Sequence, residues 1–500
     1  MKLYIRADAS PAIGAGHVMR TLALAQEWLA RSGVVTYICA ELPAALESRL
    51  NDEGISVRRI ASAPGSDDDL AATDAITTED ECWVILDGYS FDERWHATLR
   101  RPGRRVLCID DFAQCSSWAV DAIVNPHAYG TPSMYPVRAP GTLVLTGVSA
   151  LLLRNEFNPD APPLSPPNDP MATVIVSMGA SDPLRLTAAV VGAVRASLGE
   201  STRVVAVVGP AASAQLAREV VEADASVEVV RDVSNMAVLM RGADLGVVAC
   251  GGTIWECIAT RLPSIAIRVA ENQRRLAEYV GQLGWFPVLD ADRLQHELGK
   301  ALESMKDARA RARFVESAAT LVPTNPVRGI VDRMEALDFR VRTASERDAR
   351  ILFEWANDAD TRRFSIQTEP IEWATHLRWF DDRLKRPSCR FFVVEAPLTG
   401  PIAQVRFDLA DDGWWVSISL APCARGRGWA HGVLNDACGR LRAEFPLSTI
   451  RATVRVSNAA SLALFRRAGF VPVRQVERGG ALCDDFELQP VAAPDIPTAE

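Results

Sequence analysis

The sequence predicts an α/β protein of two parallel-sheet, Rossmann-like domains followed by a smaller α+β domain. Three observations lead there. Short apolar runs alternate with helical patterns from the first residues, and that alternation means a parallel sheet with crossover helices. A proline-rich stretch then interrupts the pattern, which starts again beyond it. Near Asp338 the pattern changes to strands and helices that no longer alternate one for one. A chain of 500 residues also exceeds what one hydrophobic core holds, since domains usually run to roughly 100–200 residues.

Taken in order, the apolar runs at 3–6, 34–39, 84–86 and 106–109 read as buried strands of a first domain, residues 1–157. Residues 158–170, NPDAPPLSPPNDP, suit neither a helix interior nor a central strand and read as a linker. The runs at 173–177, 204–208, 227–230, 245–249 and 265–267 make a second domain, residues 171–337, closed by a helix over 325–337. A strand beginning at Phe339 opens the third domain, residues 338–488. There, helices carry Trp355, Trp373 and Trp379, and two further helices flank a strand at 450–456. Glu372, His376 and Trp379 read as surface packing on those helices. The Pro- and Ala-rich end, 489–500, reads as a disordered tail.

Composition narrows the function. A net charge of -9 argues against a nucleic-acid binder, because phosphate contacts need clustered Lys and Arg. The ten cysteines include no Cys-x-x-Cys pair, and Cys39, Cys108 and Cys250 lie in apolar runs, so buried free thiols and no metal site are expected. Charge enters too early in Met1-Lys2-Leu3-Tyr4-Ile5-Arg6 for a signal peptide. No apolar run reaches the roughly 18 residues of a membrane span. The expectation is a cytoplasmic protein with small-molecule ligands, no membrane partner and an unspecified oligomeric state.

The first strand leads into Gly14-Ala15-Gly16-His17-Val18-Met19-Arg20 and then a helical run. Small residues at such a turn let a ligand approach the backbone, and the free N–H groups of the helix start favour a negative or developing-negative atom. His17 is placed to touch that ligand. Two other readings are a dinucleotide fingerprint, whose third small position would fall on the bulky Met19, and a histidine that merely caps the helix. In the second domain the run 245–249 leads into Cys250-Gly251-Gly252-Thr253-Ile254-Trp255-Glu256, another glycine turn opening a helix. This has the makings of a diphosphate cradle. Glu256, in the first helical turn, suits ribose hydroxyls or serves as a simple N-terminal helix charge.

Over residues 1–335 the chain resembles the hydrolases of pseudaminic acid biosynthesis, which release UDP from UDP-2,4-diacetamido-2,4,6-trideoxy-β-L-altropyranose. The resemblance rests on Arg6-x-Asp8-x-Ser10, Ile13-Gly14-x-Gly16-His17-x-Met19-Arg20, Ser177-Met178-Gly179-x-Ser181-Asp182, the turn Gly251 to Glu256, and Asn272-Gln273. It implies the GT-B arrangement, in which two Rossmann-like domains face each other across a cleft, and places this family close to glycosyltransferases of lipid-linked cell-wall precursors. It further implies that water attacks the anomeric carbon with His17 as general base. Asp8, Gly14, Gly16, Arg20, Asp87 and Tyr89 would contact substrate in the first domain, and Gly251, Gly252, Thr253, Glu256, Asn272 and Gln273 in the second. The chain departs from many relatives at Gly88, where a larger polar residue is usual.

The third domain contains Arg425-Gly426-Arg427-Gly428-Trp429-Ala430 ahead of a helix, and Asn458 through Phe470 further on. Arg425-x-x-Gly428-x-Ala430 suits a diphosphate held by backbone N–H groups at a helix start. Together these segments resemble the GNAT acetyltransferases over residues 338–488. The resemblance implies acetyl-CoA as co-substrate, held by Arg425, Gly426, Arg427, Gly428 and Ala430, with Asn458 on the pantetheine arm. The position where that family often has a proton-donating tyrosine is Phe465 here. Taken together, the two resemblances imply a UDP-amino-sugar substrate, acetylated at its 4-amino group by one part of the chain and freed from UDP by the other. The alternatives are a GT-B glycosyltransferase joined to an unrelated acetyltransferase, and a nucleotide-sugar sensor without catalysis.

Overall fold

The computed structural model describes residues 1–490 apart from 11, 80, 158–170, 180, 181, 210, 211, 232, 234, 324 and 366. It divides into two compact units, Met1–Val331 and Asp332–Glu500. The expected linker lies outside the described residues, as does the expected tail beyond Pro490.

Among the described residues the first unit holds two parallel sheets. Strands β1 (Lys2–Ala7), β2 (Val34–Cys39), β3 (Ser56–Arg59), β4 (Cys82–Asp87), β5 (Arg104–Ile109), β6 (Ala122–Val124) and β7 (Leu143–Leu145) form the first, in the order β3-β2-β1-β4-β5-β6-β7. All six residues of β4, CWVILD, are buried, as befits a strand covered on both faces. Strands β8 (Thr173–Ser177), β9 (Arg203–Val208), β10 (Glu228–Arg231), β11 (Leu245–Ala249), β12 (Ser264–Arg268) and β13 (Val288–Asp290) form the second, in the order β10-β9-β8-β11-β12-β13. Each sheet winds one way for three strands and then returns past its first, so the order reverses between β1 and β4 and between β8 and β11. Crevices at such reversals, beyond the carboxyl ends of the strands, are where open α/β sheets bind ligands.

The halves of this unit share a core. Leu151, Leu153 and Phe157, which follow the first sheet, are buried among Trp255, Ile258 and Val280 of the second, and Tyr129 and Val148 pack against the same cluster. Glu156 ties the join with its carboxylate 3.1 Å from Arg49 and its carbonyl accepting from Arg241 at 2.9 Å.

The second unit is a mainly antiparallel sheet of β14 (Arg340–Thr343), β15 (Cys389–Ala396), β16 (Gly400–Ala410), β17 (Gly413–Leu420), β18 (Ile450–Arg455), β19 (Val471–Arg478) and β20 (Ala481–Leu488), in the order β14-β15-β16-β17-β18-β20-β19. The exception is β17 with β18, which run parallel and pair only at Trp414–Ile450 and Trp415–Arg451. Beyond those two positions the strands part. The unit begins ahead of the expected boundary at Asp338, and its contacts give the reason. Trp429 Nε1 donates to the Asp332 carbonyl at 2.7 Å, Arg427 reaches the Asp332 carboxylate at 3.4 Å, and Glu335 accepts from the Leu398 amide at 3.1 Å. His376 is a core residue and not surface packing. It is buried, stacked on Phe380, and its Nε2 lies 3.1 Å from the Ala349 carbonyl. Among the described residues no helix is long and apolar enough to cross a membrane, and Cys39, Cys108 and Cys250 are buried free thiols.

Candidate functional site

The carboxyl ends of β1, β4, β5 and β6 each deliver polar residues to one edge of the first sheet: Asp8, Asp87, Asp110 with Asp111, and Asn125 with His127. The helix Gly16–Ala30 starts over the reversal between β1 and β4 and brings His17 and Arg20 in its first turns. Gly14 takes φ +81°, a left-handed conformation that suits glycine, and its amide closes the turn onto the Ser10 carbonyl at 2.7 Å. A Cβ at Gly14 or Gly16 would meet nothing within 4 Å among the described residues, so the turn leaves room for a ligand.

His17 Nδ1 lies 2.7 Å from Asp87 Oδ1. Arg20 donates to both Asp87 oxygens, at 2.6 and 2.7 Å, and to Asp111 at 2.7 Å. Arg20 also stands 3.2 Å from His17 Nδ1. A guanidinium only donates and a carboxylate only accepts, so both nitrogens are donors converging on one oxygen, and in the neutral ring the lone pair falls on Nε2. Burial pushes the Asp87 carboxyl up, but Arg20 and His17 outweigh it and hold the group below its ordinary range. The same contest at Asp111 is won by Arg20 and His127 by a wide margin. Both carboxylates are therefore ionised at neutral pH.

Tyr89 donates to Asp111 at 2.7 Å and meets the His17 ring edge-on at 5.1 Å between centroids. Burial, then Asp111, pushes its phenol up, so it stays protonated. Gly88, between Asp87 and Tyr89, has no room for a side chain, because a Cβ there would lie 2.9 Å from the Phe91 ring. Asp8 is used within the protein. Arg6 donates to it at 2.6 Å, and it accepts from the amides of Ala40 and Glu41 at 2.7 and 3.0 Å.

Sequence reasoning missed Asp111 and His127. His127 Nε2 lies 3.1 Å from Asp111 Oδ1, so Arg20 sits between two carboxylate–histidine pairs. Asp110-Asp111 end the apolar run 106–109, so the rule that strand ends carry sites could have found them. His127 follows a strand of only three residues, Ala122–Val124, too short to register as a period.

In the second sheet, Gly251 and Gly252 lead from β11 into the helix Thr253–Thr260, and the amides of Ile254, Trp255 and Glu256 donate to the Gly251 and Gly252 carbonyls at 3.1, 3.0 and 3.4 Å, so what the turn offers a ligand is the positive end of the helix dipole. Gln273 accepts from the Val269 amide at 2.9 Å, and its Nε2 would stand 3.6 Å from a Cβ on Gly251. Gly179, beyond the end of β8, has Ala249 as its near neighbour, so three of the expected segments meet at the β8/β11 reversal. Asn272 is exposed beside them. Glu256 pairs with Arg154 at 3.1 Å, a partner sequence reasoning did not supply. Burial, partly offset by Arg154, raises its carboxyl above the ordinary value.

In the second unit the two motif segments follow the two strands that part. Arg425 to Ala430 follow β17, and Asn458 follows β18. Gly426 and Gly428 both take φ +76°, and a Cβ at either would meet nothing within 4 Å among the described residues, so a bulky anion has room against the backbone at the start of the helix Ala430–Glu444. Both arginines of the loop are already paired. Arg425 donates to Asp358 at 2.6 Å and Thr361 at 2.8 Å, while Arg427 lies over the Trp429 ring at 4.7 Å. Asn458 Oδ1 caps the helix Ala459–Arg467 by accepting from the Ser461 amide at 3.1 Å. Phe465 is buried between Phe470 and Phe486.

The first site lies on tandem Rossmann-like sheets and the second on a split mixed sheet. Residues 173–334 match the glycosyltransferase family 28 C-terminal domain, and residues 338–471 match the acetyltransferase (GNAT) domain. The chain thus joins a family 28 C-terminal-like domain to a GNAT acetyltransferase domain. It is 23% identical over 407 residues to an uncharacterized protein of Methanocaldococcus jannaschii, covering 77% of this chain and 79% of that one. Solved structures similar to it include the spermidine N-acetyltransferase of Vibrio cholerae in complex with CoA and spermine, at 19% identity and TM-score 0.28 over 30% of this chain and 95% of that one. The spermidine/spermine N-acetyltransferase of the same organism in complex with manganese ions matches at 18% identity and TM-score 0.26, over 31% of this chain and 94% of that one.

Proposed function

We propose that the chain is a bifunctional enzyme of amino-sugar metabolism: a hydrolase of UDP-2,4-diacetamido-2,4,6-trideoxy-β-L-altropyranose fused to an acetyl-CoA-dependent N-acetyltransferase that acts on the UDP-4-amino-sugar precursor. The observation that carries the hydrolase half is the His17–Asp87 pair at 2.7 Å. With Asp87 on Nδ1, Nε2 accepts a proton from water as the water oxygen bonds to the anomeric carbon, and the bond from that carbon to UDP breaks with its electron pair leaving on UDP. In a GT-B arrangement the diphosphate belongs at the Gly251–Gly252 turn and the sugar beside His17. The positive end of the helix Thr253–Thr260 suits the charge that grows on the leaving diphosphate.

For the acetyltransferase half, the open loop at Gly426 and Gly428 fits the coenzyme diphosphate. With Arg425 and Arg427 paired inside the protein, backbone amides would carry most of that contact. Bound acetyl-CoA supplies the thioester. Phe465 supplies no proton to the departing thiolate.

The family 28 match over residues 173–334 favours one competing reading, transfer of the sugar to an acceptor other than water. UDP release with no acceptor present separates the two.

A further inference from the structure

The loop after β6 holds two buried polar atoms that have no partner among the described residues, His127 Nδ1 and Tyr129 Oη. An unpaired buried polar atom is costly, and its presence at a cleft points to a group that arrives with the ligand. The loop is firmly built. Asn125, fully buried, accepts from the His127 amide at 3.1 Å and donates to Tyr135 at 2.8 Å, and Tyr135 donates in turn to Asp110 at 2.8 Å. Gly130 closes it where no side chain fits, since a Cβ would lie 2.8 Å from Asn125.

Chemistry limits what the two atoms can receive. Asp111 holds His127 at Nε2, so in the neutral ring Nδ1 is an acceptor that needs a donor. Tyr129, pushed up to about 12 by burial and by Asp111, keeps its proton and can donate. The rings stack on each other at 4.8 Å between centroids, and Phe112 stacks with His127 at 6.3 Å, so the polar atoms sit in an aromatic setting. Of the charges acting on Tyr129, the ionised Asp111 outweighs Arg275, and Asp111 also holds His127, which disfavours a phosphate. A group with one N–H, one C=O and an apolar end meets every requirement.

Resting on the hydrolase reading, we propose that His127 and Tyr129 form the subsite that recognises a secondary amide substituent of the sugar, with the amide N–H donating to His127 Nδ1 and the carbonyl accepting from Tyr129. Tyr129 also packs against the second domain's core, which puts this subsite where the two halves of the first unit meet.

The test compares binding of UDP, UDP-glucose and the UDP-diacetamido sugar by calorimetry to the hydrolysis-impaired His17→Asn protein and to Tyr129→Phe, His127→Phe and His127→Gln made in that background. Loss of one buried hydrogen bond should weaken the diacetamido sugar roughly tenfold in Tyr129→Phe and His127→Phe, leave UDP and UDP-glucose unchanged, and be partly restored in His127→Gln. Unchanged UDP affinity reports an intact fold. Equal weakening of all three ligands, or of none, overturns the assignment. A wild-type protein that binds UDP and the diacetamido sugar without hydrolysing it sinks the hydrolase reading but leaves this subsite standing if the variants behave as stated. A wild-type protein that binds no UDP at all overturns both.

Discussion

Asp87 Oδ1 receives both His17 Nδ1, at 2.7 Å, and an Arg20 nitrogen, at 2.6 Å. One buried carboxylate thus fixes the orientation of the histidine and is itself kept ionised by the arginine. His17→Asn is expected to lose roughly a hundredfold or more of hydrolysis while UDP affinity stays near wild type. Asp87→Asn should lose a similar factor, because a neutral amide no longer selects the Nδ1-protonated ring. Steady-state rates beside UDP titrations check both, and near-normal turnover in either variant contradicts the role given to this pair.

Gly252 takes ordinary helical angles, φ -53° and ψ -31°, and a Cβ there would meet nothing within 4 Å among the described residues. Gly252→Val should therefore fold and melt like wild type, yet bind UDP at least roughly tenfold more weakly by blocking approach to the helix start. Acetyl-CoA affinity should not change. A variant that binds UDP normally would move the diphosphate away from this turn.

His96 is fully buried beside Cys108, stacked on Trp118, and burial lowers its pKa to about 4. The unfolded chain takes up this proton near pH 6.5, the folded protein only near 4, so acid favours unfolding across that window. Stability should fall as pH drops from about 6.5 to about 4 and level off below, by up to ~3 kcal/mol. Urea unfolding of wild type and His96→Phe at pH 7 and pH 5 measures it. The variant should lose less stability than wild type between those two values, and equal losses would show that another group sets the acid sensitivity.

Trp429 Nε1 is buried and its acceptor is the Asp332 carbonyl. A fragment beginning at Pro326 should therefore melt higher than one beginning at Asp338, which strands that donor and removes the partner of Arg427. An unsatisfied buried donor costs ~1–3 kcal/mol, enough to separate the fragments by roughly 5 °C. Equal melting temperatures would show that the segment from Asp332 adds nothing to the fold.

The sequence made the long elements legible because burial dictates their composition. The strands at 34–39, 173–177 and 245–249 coincide with apolar runs, and the two glycine turns stand where strands meet helices. Strands β3, β6, β7 and β13 went unseen, being three or four residues long, with β3 reading Ser-Val-Arg-Arg on an exposed edge. His17 and Gly251 could be found from local pattern alone. Asp111 could have been found at the end of its apolar run, but His127 and Arg154 could not, because each acquires its meaning from a partner distant in sequence, Asp111 and Glu256. The pairing of Arg425 with Asp358 was hidden for the same reason.

On the proposed reading water, and no other acceptor, receives the sugar at His17. The most direct measurement incubates the purified full chain with UDP-2,4-diacetamido-2,4,6-trideoxy-β-L-altropyranose in buffer alone and follows products by mass spectrometry, with His17→Asn beside it. Free sugar and UDP are expected in equal amounts, with the label at the anomeric hydroxyl of the free sugar in water enriched in oxygen-18, and little product from the variant. An intact nucleotide sugar that is consumed only when a sugar acceptor is added would contradict that reading and make the first unit a glycosyltransferase.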